Sequence, residues 1–541
     1  MNRKTSRKRK RKTSRKRKRK VSRKRTSNCI SRSPRKPRAI QKRVINYITK
    51  KSKLYDALLV VHGTGCGKTL AAVIASQCYL DMYPGHNVVF IGPAGLVNNF
   101  KNELKHYGVK NMDLYSFFSF DKFYNLEKKG SRVNCKNSFL IVDEAHNLRT
   151  IKSKKALSAI KCAHTAHKRL LLTATPFINS PRDFINIIDM LHGKPIIGND
   201  FSIGKTFTKT TERTLVELLK GRVDYVPSCR DDKDFPDVSE KFVRVPMTAE
   251  YEAAYTKAME GEDVDGIKMP NPKTFLHGYR KVVNKAGTDK YYSAKLTKAI
   301  ALVRDKKRKV QKTVIFTNWL SFGVDAIAKF LTQQKIGFRV YKGGLSATVK
   351  TKITDDFNAG KFPVLVITRA GGEGLDLKKV RNIIILDPVW HDAGTQQIIG
   401  RAVRYKSHVG LTKKNRHVNV YKMVLTFPDG TPGVTGDQML YNIIAKKHKV
   451  QVQVGNILEH ASVKLVKPTK ITVSKSIKKK KSSLLKYRKT QLKDMTLTDL
   501  KKLCREAGIT KKSSGRSLSE FRKATQNVLV DLFYKFVRNK I

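Results

Sequence analysis

His62-Gly63-Thr64-Gly65-Cys66-Gly67-Lys68-Thr69 decides the reading of this chain. An apolar run, Ala57-Leu58-Leu59-Val60-Val61, precedes it, and Leu70-Ala71-Ala72-Val73-Ile74 follows. The order is strand, glycine loop, helix. Such a loop can wrap backbone N–H groups around phosphates, with the positive end of the helix dipole behind them. Lys68 is placed to reach β and γ phosphates, and the Thr69 hydroxyl to sit on Mg²⁺. The first position of this pattern is commonly Gly or Ala and is His62 here. Gly65, Gly67, Lys68 and Thr69 carry the geometry, so the departure costs little. A glycine turn that binds nothing is the competing reading.

Downstream, Ser138-Phe139-Leu140-Ile141-Val142 reads as a buried parallel strand. It ends at Asp143-Glu144-Ala145-His146. Two adjacent carboxylates at a strand's C-terminal end suit phosphate chemistry. Asp143 can hold Mg²⁺ through its water shell, and Glu144 can polarise an attacking water. An ordinary acidic turn does not explain why this pair follows a phosphate loop in an alternating strand–helix chain. Leu170-Leu171-Leu172 then runs into Thr173-Ala174-Thr175-Pro176, and much later comes Gln397-Ile398-Ile399-Gly400-Arg401-Ala402-Val403-Arg404.

These pieces, in this order, resemble superfamily 2 helicases and translocases. Gln41 matches the adenine-reading glutamine, residues 62–69 motif I, and Val88 to Pro93 with the following helix motif Ia. Asp143–His146 is a DEAH box, and Thr173–Pro176 resembles motif III. Val314-Ile315-Phe316-Thr317-Asn318 resembles motif IV, and Thr368-Arg369-Ala370-Gly371-Gly372-Glu373-Gly374-Leu375-Asp376-Leu377 motif V. Gln397–Arg404 resembles motif VI. The likeness covers roughly three quarters of the chain.

The resemblance implies ATP and Mg²⁺ bound in a cleft between two lobes. His62, Gly63, Thr64, Gly65, Cys66, Gly67, Lys68 and Thr69 would hold the phosphates, Gln41 the adenine, and Asp376 the ribose. Arg401 and Arg404 would reach across as fingers in the transition state. His146, Thr173 and Thr175 would couple the γ-phosphate to lobe closure. Pro93, Thr368 and Arg369 are the candidates for nucleic-acid backbone contact. Motif V is similar to that of Swi/Snf-type duplex-DNA translocases, whereas motif VI keeps Gln-x-x-Gly-Arg-x-x-Arg. This blend looks like the DNA-dependent ATPases of large DNA viruses, the group of the poxvirus early transcription factor small subunit and the viral nucleoside triphosphate phosphohydrolase I. The likeness implies a motor on nucleic acid serving viral transcription, with duplex DNA favoured and RNA possible. It further implies a viral RNA polymerase or a second transcription-factor subunit as partner, and a place in the virion and the infected host cell, in cytoplasm or nucleus. An RNA helicase is one alternative. A basic DNA-condensing protein with a vestigial ATPase is another, of a different class.

Bulk properties agree with a polyanionic partner. The 541 residues carry a formal net charge of +70, which points most simply to nucleic acid. No apolar run is long enough to span a bilayer, and the basic N-terminus lacks an apolar signal core, which argues against secretion. None of the seven cysteines falls in Cys-x-x-Cys spacing, and no His pair completes a zinc site. That usage suits a reducing compartment and predicts no structural disulfides.

The expected fold class is α/β, two RecA-like parallel-sheet lobes with a basic tail and a helical C-terminal module. Residues 1–36, with Arg3-Lys4-Thr5-Ser6-Arg7-Lys8 repeated almost verbatim, are expected to be a disordered basic tail. Such a tail suits an import signal, a DNA-condensing or DNA-holding arm, or a solubilising tail, the first two being favoured. The first lobe is expected at 37–194, a bridging insertion at 195–292 and the second lobe at 293–466. A basic linker follows at 467–494. Residues 495–541 read as a helical module, with Leu497, Leu500, Leu503 and Cys504 on one helical face, either resembling a SAP-type nucleic-acid-binding unit or forming a generic basic helical hairpin. Thr248 is expected to cap a helix running to Ala258.

Overall fold

A computed structural model describes residues 29–468, apart from 131–132, 152, 175–179, 197–202, 230–233, 265–266, 269–276, 288, 306, 370–374 and 391. The tail before Cys29, nearly all of the basic linker, the helical module at 495–541, Thr175 and the glycine run of motif V lie outside the described residues. Contacts divide the chain into a unit of residues 1–197 with 203–469 and another of 198–202 with 470–541. Every element below belongs to the first.

The apolar runs become the inner strands of two sheets. In lobe 1 these are β1 (Ala57–His62), β2 (Asn87–Gly92), β3 (Tyr115–Ser119), β4 (Ser138–Val142), β5 (Lys168–Thr173) and β6 (Val223–Val226), ordered β3-β2-β4-β5-β1-β6. All pairings are parallel. β1, β4 and β5 are buried along their whole length, as central strands covered on both faces must be. The helices around them are α1 (Ala39–Ile48), α2 (Lys68–Met82), α3 (Ala94–Tyr107), α4 (Phe120–Lys128), α5 (Lys154–Thr165), α6 (Ile185–His192) and α7 (Lys209–Leu219). Ser119, Ser153 and Thr208 cap α4, α5 and α7 by accepting a backbone N–H three residues on.

Lobe 2 repeats the plan. Its strands are β7 (Asp237–Pro246), β8 (Thr313–Thr317), β9 (Phe338–Tyr341), β10 (Val364–Thr368), β11 (Asn382–Ile385) and β12 (His417–Thr426), ordered β9-β10-β8-β11-β12-β7 and again parallel. Its helices are α8 (Ala249–Glu260), α9 (His277–Lys281), α10 (Ala294–Ala301), α11 (Ala326–Gln333), α12 (Ala347–Ala359), α13 (Asp392–Ile399) and α14 (Gly436–His460). Thr248 caps α8 by accepting from the Tyr251 N–H, as its sequence suggests.

Four features depart from expectation. The region 195–292 is not an insertion: α7 and β6 complete lobe 1, and β7 and α8 open lobe 2. β6 has four residues, one of them a buried Asp224, and β7 is an exposed edge strand, so neither shows a long apolar run. The tail gives way before residue 36. Cys29 is fully buried in the lobe 1 core with Ile30 packed beside it, because this adjacent apolar pair ends the Arg/Lys run. The sequence of Thr395–Tyr405 reads as one helix, but the helix stops at Ile399, and Gly400 onward forms tight turns. Finally, three disulfides are present, Cys29–Cys78, Cys66–Cys229 and Cys135–Cys162. Their partners lie 49, 163 and 27 residues apart, so only the folded chain brings them together.

The lobes are tied by more than the crossover from β6 to β7. α14 starts in lobe 2, where Thr435 and Gln438 form a capping box and Asp437 pairs with Lys295 at 2.6 Å, both fully buried. Its 25 residues span about 37 Å. Its far end buries Val454, Ile457 and Leu458 against lobe 1, and the Val463 N–H donates to the Val223 carbonyl on β6 at 2.8 Å.

Candidate nucleotide site and interlobe cleft

β1 delivers the loop. His62, its last residue, is fully buried, and its Nε2 lies 3.2 Å from Asp224 Oδ2 on β6. Arg43 Nε of α1 donates to the other oxygen of Asp224 at 2.7 Å. Burial holds the His62 imidazole below its ordinary pKa, with Asp224 acting against it. The unusual first residue of the motif thus stitches the loop to the neighbouring strand and to α1.

The loop's glycines are structural requirements. Gly65 and Gly67 both have φ of 79°, which L side chains rarely adopt. A Cβ on Gly67 would lie 2.3 Å from Gln41 Nε2, and one on Gly65 would lie 3.2 Å from the Val403 carbonyl of lobe 2. Lys68 opens α2, and its Nζ donates to the carbonyls of His62 and Gly63 at 2.8 and 3.4 Å. Burial lowers its pKa, while Glu144 and Asp143 act to raise it.

β4 ends at the acidic pair. Glu144 adopts φ of 49°, a left-handed conformation of a kind found at functional sites. Its N–H donates to Asp143 Oδ1 at 2.9 Å. Burial, and after it the charge of Glu144, pushes the Asp143 carboxyl up to about 7. Burial also acts to raise Glu144, but His146, Lys68 and Arg401 outweigh it and hold the group below the usual carboxylate range. His146 Nδ1 lies 3.3 Å from Glu144 and 3.0 Å from the Thr173 hydroxyl at the end of β5.

Lobe 2 closes the cavity. Arg401 and Arg404 follow α13, and Arg404 is held by the Gly400 carbonyl at 2.8 Å and Asp376 at 3.3 Å. A cavity of about 180 Å³ is lined by Thr64, Gly65, Gly67, Lys68, Thr69, Asp143 and Glu144 from lobe 1 and by Gln397, Gly400, Arg401 and Arg404 from lobe 2. A second cavity of about 140 Å³ shares Leu96, Glu144, Gln397 and Arg401 with the first and adds Pro93, His146, Thr368 and Arg369. Residues far apart in sequence therefore meet around two neighbouring spaces that share part of their walls.

Two expected residues sit differently. Gln41 is buried at the N-terminus of α1, its amide accepting from the Arg38 N–H and donating to the Gly67 carbonyl at 3.1 Å. In this state its amide braces the loop. Asp376 meets Arg404.

Several contacts escaped the sequence reading. The Thr64 hydroxyl donates to the Gln396 carbonyl at 3.3 Å, joining the loop to lobe 2. Arg38 donates to the Cys66 carbonyl and lies over Tyr405 and Phe235, 4.9 and 5.7 Å from their ring centres. The chain's two tryptophans flank Arg280, at 5.1 Å from Trp319 and 4.9 Å from Trp390, and Trp390 borders the second cavity. Their rarity was the one signal available.

Among the described residues no group of three or more His, Cys, Asp or Glu could hold a metal by itself. The Thr69 hydroxyl and the Asp143 carboxylate nevertheless fit Mg²⁺, which takes one or two hard oxygens and completes its shell with water and phosphate. The buried Asp143–Glu144 pair is the kind of excess negative charge that such an ion relieves.

Comparison with known proteins agrees with this geometry. Residues 35–178 match the res subunit of type III restriction enzymes, 117–311 the SNF2-related domain, and 294–406 the helicase conserved C-terminal domain. Residues 408–526 match the nucleoside triphosphatase I C-terminal family. The chain carries the paired domains of a superfamily 2 helicase. With the nucleoside triphosphatase I C-terminal match beside them, these domains make it an ATP hydrolase of the superfamily 2 type. A protein of Acanthamoeba polyphaga mimivirus named as an ATP-dependent RNA helicase is 26% identical over 450 residues, which is 78% of this chain and 96% of the relative. A second so named from the same virus is 23% identical, covering 72% of this chain and 82% of the relative. A killer-plasmid helicase of Kluyveromyces lactis is 24% identical over 68% of this chain and 60% of its own length. Among solved structures, S. cerevisiae Dbp5 bound to RNA and ADP BeF3 aligns over 79% of this chain and 94% of its own, at 12% identity and a TM-score of 0.45. No helix among the described residues is long and apolar enough to cross a membrane.

Proposed function

We propose that this helicase couples Mg²⁺-dependent ATP hydrolysis to movement on nucleic acid, with duplex DNA as its preferred track and viral transcription as its setting. The observation that carries the reading is the shared cavity in which Arg401 and Arg404 of one lobe meet Lys68, Asp143 and Glu144 of the other.

In this reading the loop N–H groups and Lys68 hold the β and γ phosphates, Lys68 exchanging the carbonyls of His62 and Gly63 for phosphate oxygens. Mg²⁺, when bound, offsets the phosphate charge. Glu144 orients the attacking water. Arg401 and Arg404 stabilise the charge that develops on the transferring group, and Asp376 aims Arg404. Because the arginines belong to the other lobe, hydrolysis reports lobe geometry. His146 touches both Glu144 and Thr173 and borders the second cavity, so it is the natural relay to nucleic acid held near Pro93, Thr368 and Arg369.

Duplex DNA is favoured by the motif V pattern and by the match to the nucleoside triphosphatase I C-terminal family. RNA is the second reading, because the mimivirus relatives are named RNA helicases. ATPase rates measured with duplex DNA, single-stranded DNA and RNA decide between them: strongest stimulation by duplex is expected, and stimulation by RNA alone refutes the DNA assignment. A viral RNA polymerase or a second transcription-factor subunit is the proposed partner. The virion is a proposed location, and the three disulfides support it, since such bonds persist in oxidising surroundings.

A further inference from the structure

Cys66 stands in the middle of the phosphate loop and is fully buried. Its sulfur is bonded to Cys229, with the two Cα atoms 5.7 Å apart. Cys229 lies between β6 of lobe 1 and β7 of lobe 2, and its side chain packs against the lobe 2 core formed by Phe235, Phe316 and their neighbours. This bond therefore crosses from the phosphate loop to the other lobe. The remaining two disulfides stay within lobe 1.

We infer that Cys66–Cys229 is a redox-active site whose reduction by a dithiol releases the ATPase; the inference rests on reading the loop as the ATP site. Its two ends differ in access. Cys229 is partly exposed and follows the exposed Pro227 and Ser228, whereas Cys66 offers no surface. An attacking thiolate can reach only the Cys229 sulfur. It forms a mixed disulfide there, and the electron pair of the broken S–S bond goes to Cys66. That thiolate appears immediately before Gly67, the N-cap of the 15-residue α2, where loop N–H groups and the helix dipole favour negative charge. A stabilised leaving thiolate speeds exchange. The reductant's second thiol then attacks its own bound sulfur, expels Cys229 as a thiolate that takes up a proton, and departs as a disulfide. Two electrons have passed from the dithiol to the protein, which now holds a Cys229 thiol and a Cys66 thiolate, and the protons of the two dithiol S–H groups have gone to Cys229 and to solvent.

The consequence follows from position. Each turnover requires the lobes to part for nucleotide exchange and to close for hydrolysis. A covalent link from the loop to a residue seated on lobe 2 blocks the first movement. It also holds the loop in the posture in which Lys68 Nζ is engaged by His62 and Gly63. The oxidised chain is a latched form, and the reduced chain is the working motor.

The test uses the full-length protein, oxidised with glutathione disulfide and then treated with dithiothreitol. Peptide mass spectrometry reports the Cys66–Cys229 link, and nucleic-acid-stimulated ATPase reports the consequence. Reduction is expected to raise turnover by on the order of ten-fold. Cys229→Ser should run at the reduced rate under both conditions, and Cys135→Ser should keep the response. A link present before dithiothreitol and absent after it, with no change in turnover, overturns the latch while leaving the ATP site intact. A pair that never links under oxidation overturns it as well. A fully reduced enzyme without ATPase activity overturns the ATP-site reading itself.

Discussion

At the scale of single residues, the acidic pair carries the sharpest expectation. Glu144 lies in a left-handed backbone conformation against His146, in the cavity that also holds Lys68. Glu144→Gln keeps shape and removes the charge that orients water. Turnover should fall by about 10²-fold or more, with ATP binding retained in a fluorescent-nucleotide titration; loss of binding at unchanged turnover per bound ATP contradicts the assignment. A half-buried histidine makes a second prediction. Burial lowers His192 to about 4 in the folded chain, against an ordinary value of 6.5. Between those values the unfolded chain binds more protons, so stability is lost as pH falls from 6.5 toward 4. Denaturant unfolding across that range should show the loss, and His192→Gln should flatten it; an unchanged slope rules this residue out as the source.

Elements show what the sequence made legible and what it hid. The inner strands were readable because burial on both faces demands unbroken apolar runs such as Leu170-Leu171-Leu172 and Val364-Leu365-Val366-Ile367. The edge strands were not. β7 exposes most of its side chains, and β6 contains Asp224, whose burial makes sense only beside His62 and Arg43. Motif residues and their order were plain, but the contacts Thr64–Gln396 and Arg38–Tyr405 depend on lobe packing that no local pattern encodes. The disulfides were hidden for the same reason. α14 carries a prediction of its own. Its anchor is the buried Lys295–Asp437 pair, in which Asp437 also accepts from the Leu425 N–H at 2.9 Å. Asp437→Leu strands a buried cation and should destabilise the chain by about 3–5 kcal/mol in denaturant unfolding. Pairing it with Lys295→Met should recover most of that loss. A single variant as stable as the double would show that the pair is not the anchor.

At the scale of the whole chain, positive charge dominates. A net charge of +70 makes contact with a polyanion strong and sequence-independent, so half-maximal stimulation by nucleic acid should shift steeply upward as salt rises from about 50 to about 200 mM. Weak salt dependence would point to a small-molecule effector instead. The central claim is that lobe 2 completes the active site of lobe 1. The measurement that tests it most directly is the nucleic-acid-stimulated ATPase of reduced Arg404→Ala, with nucleotide affinity measured alongside. Turnover is predicted to fall by about 10³-fold while ATP still binds; turnover equal to that of the unaltered protein would contradict the account.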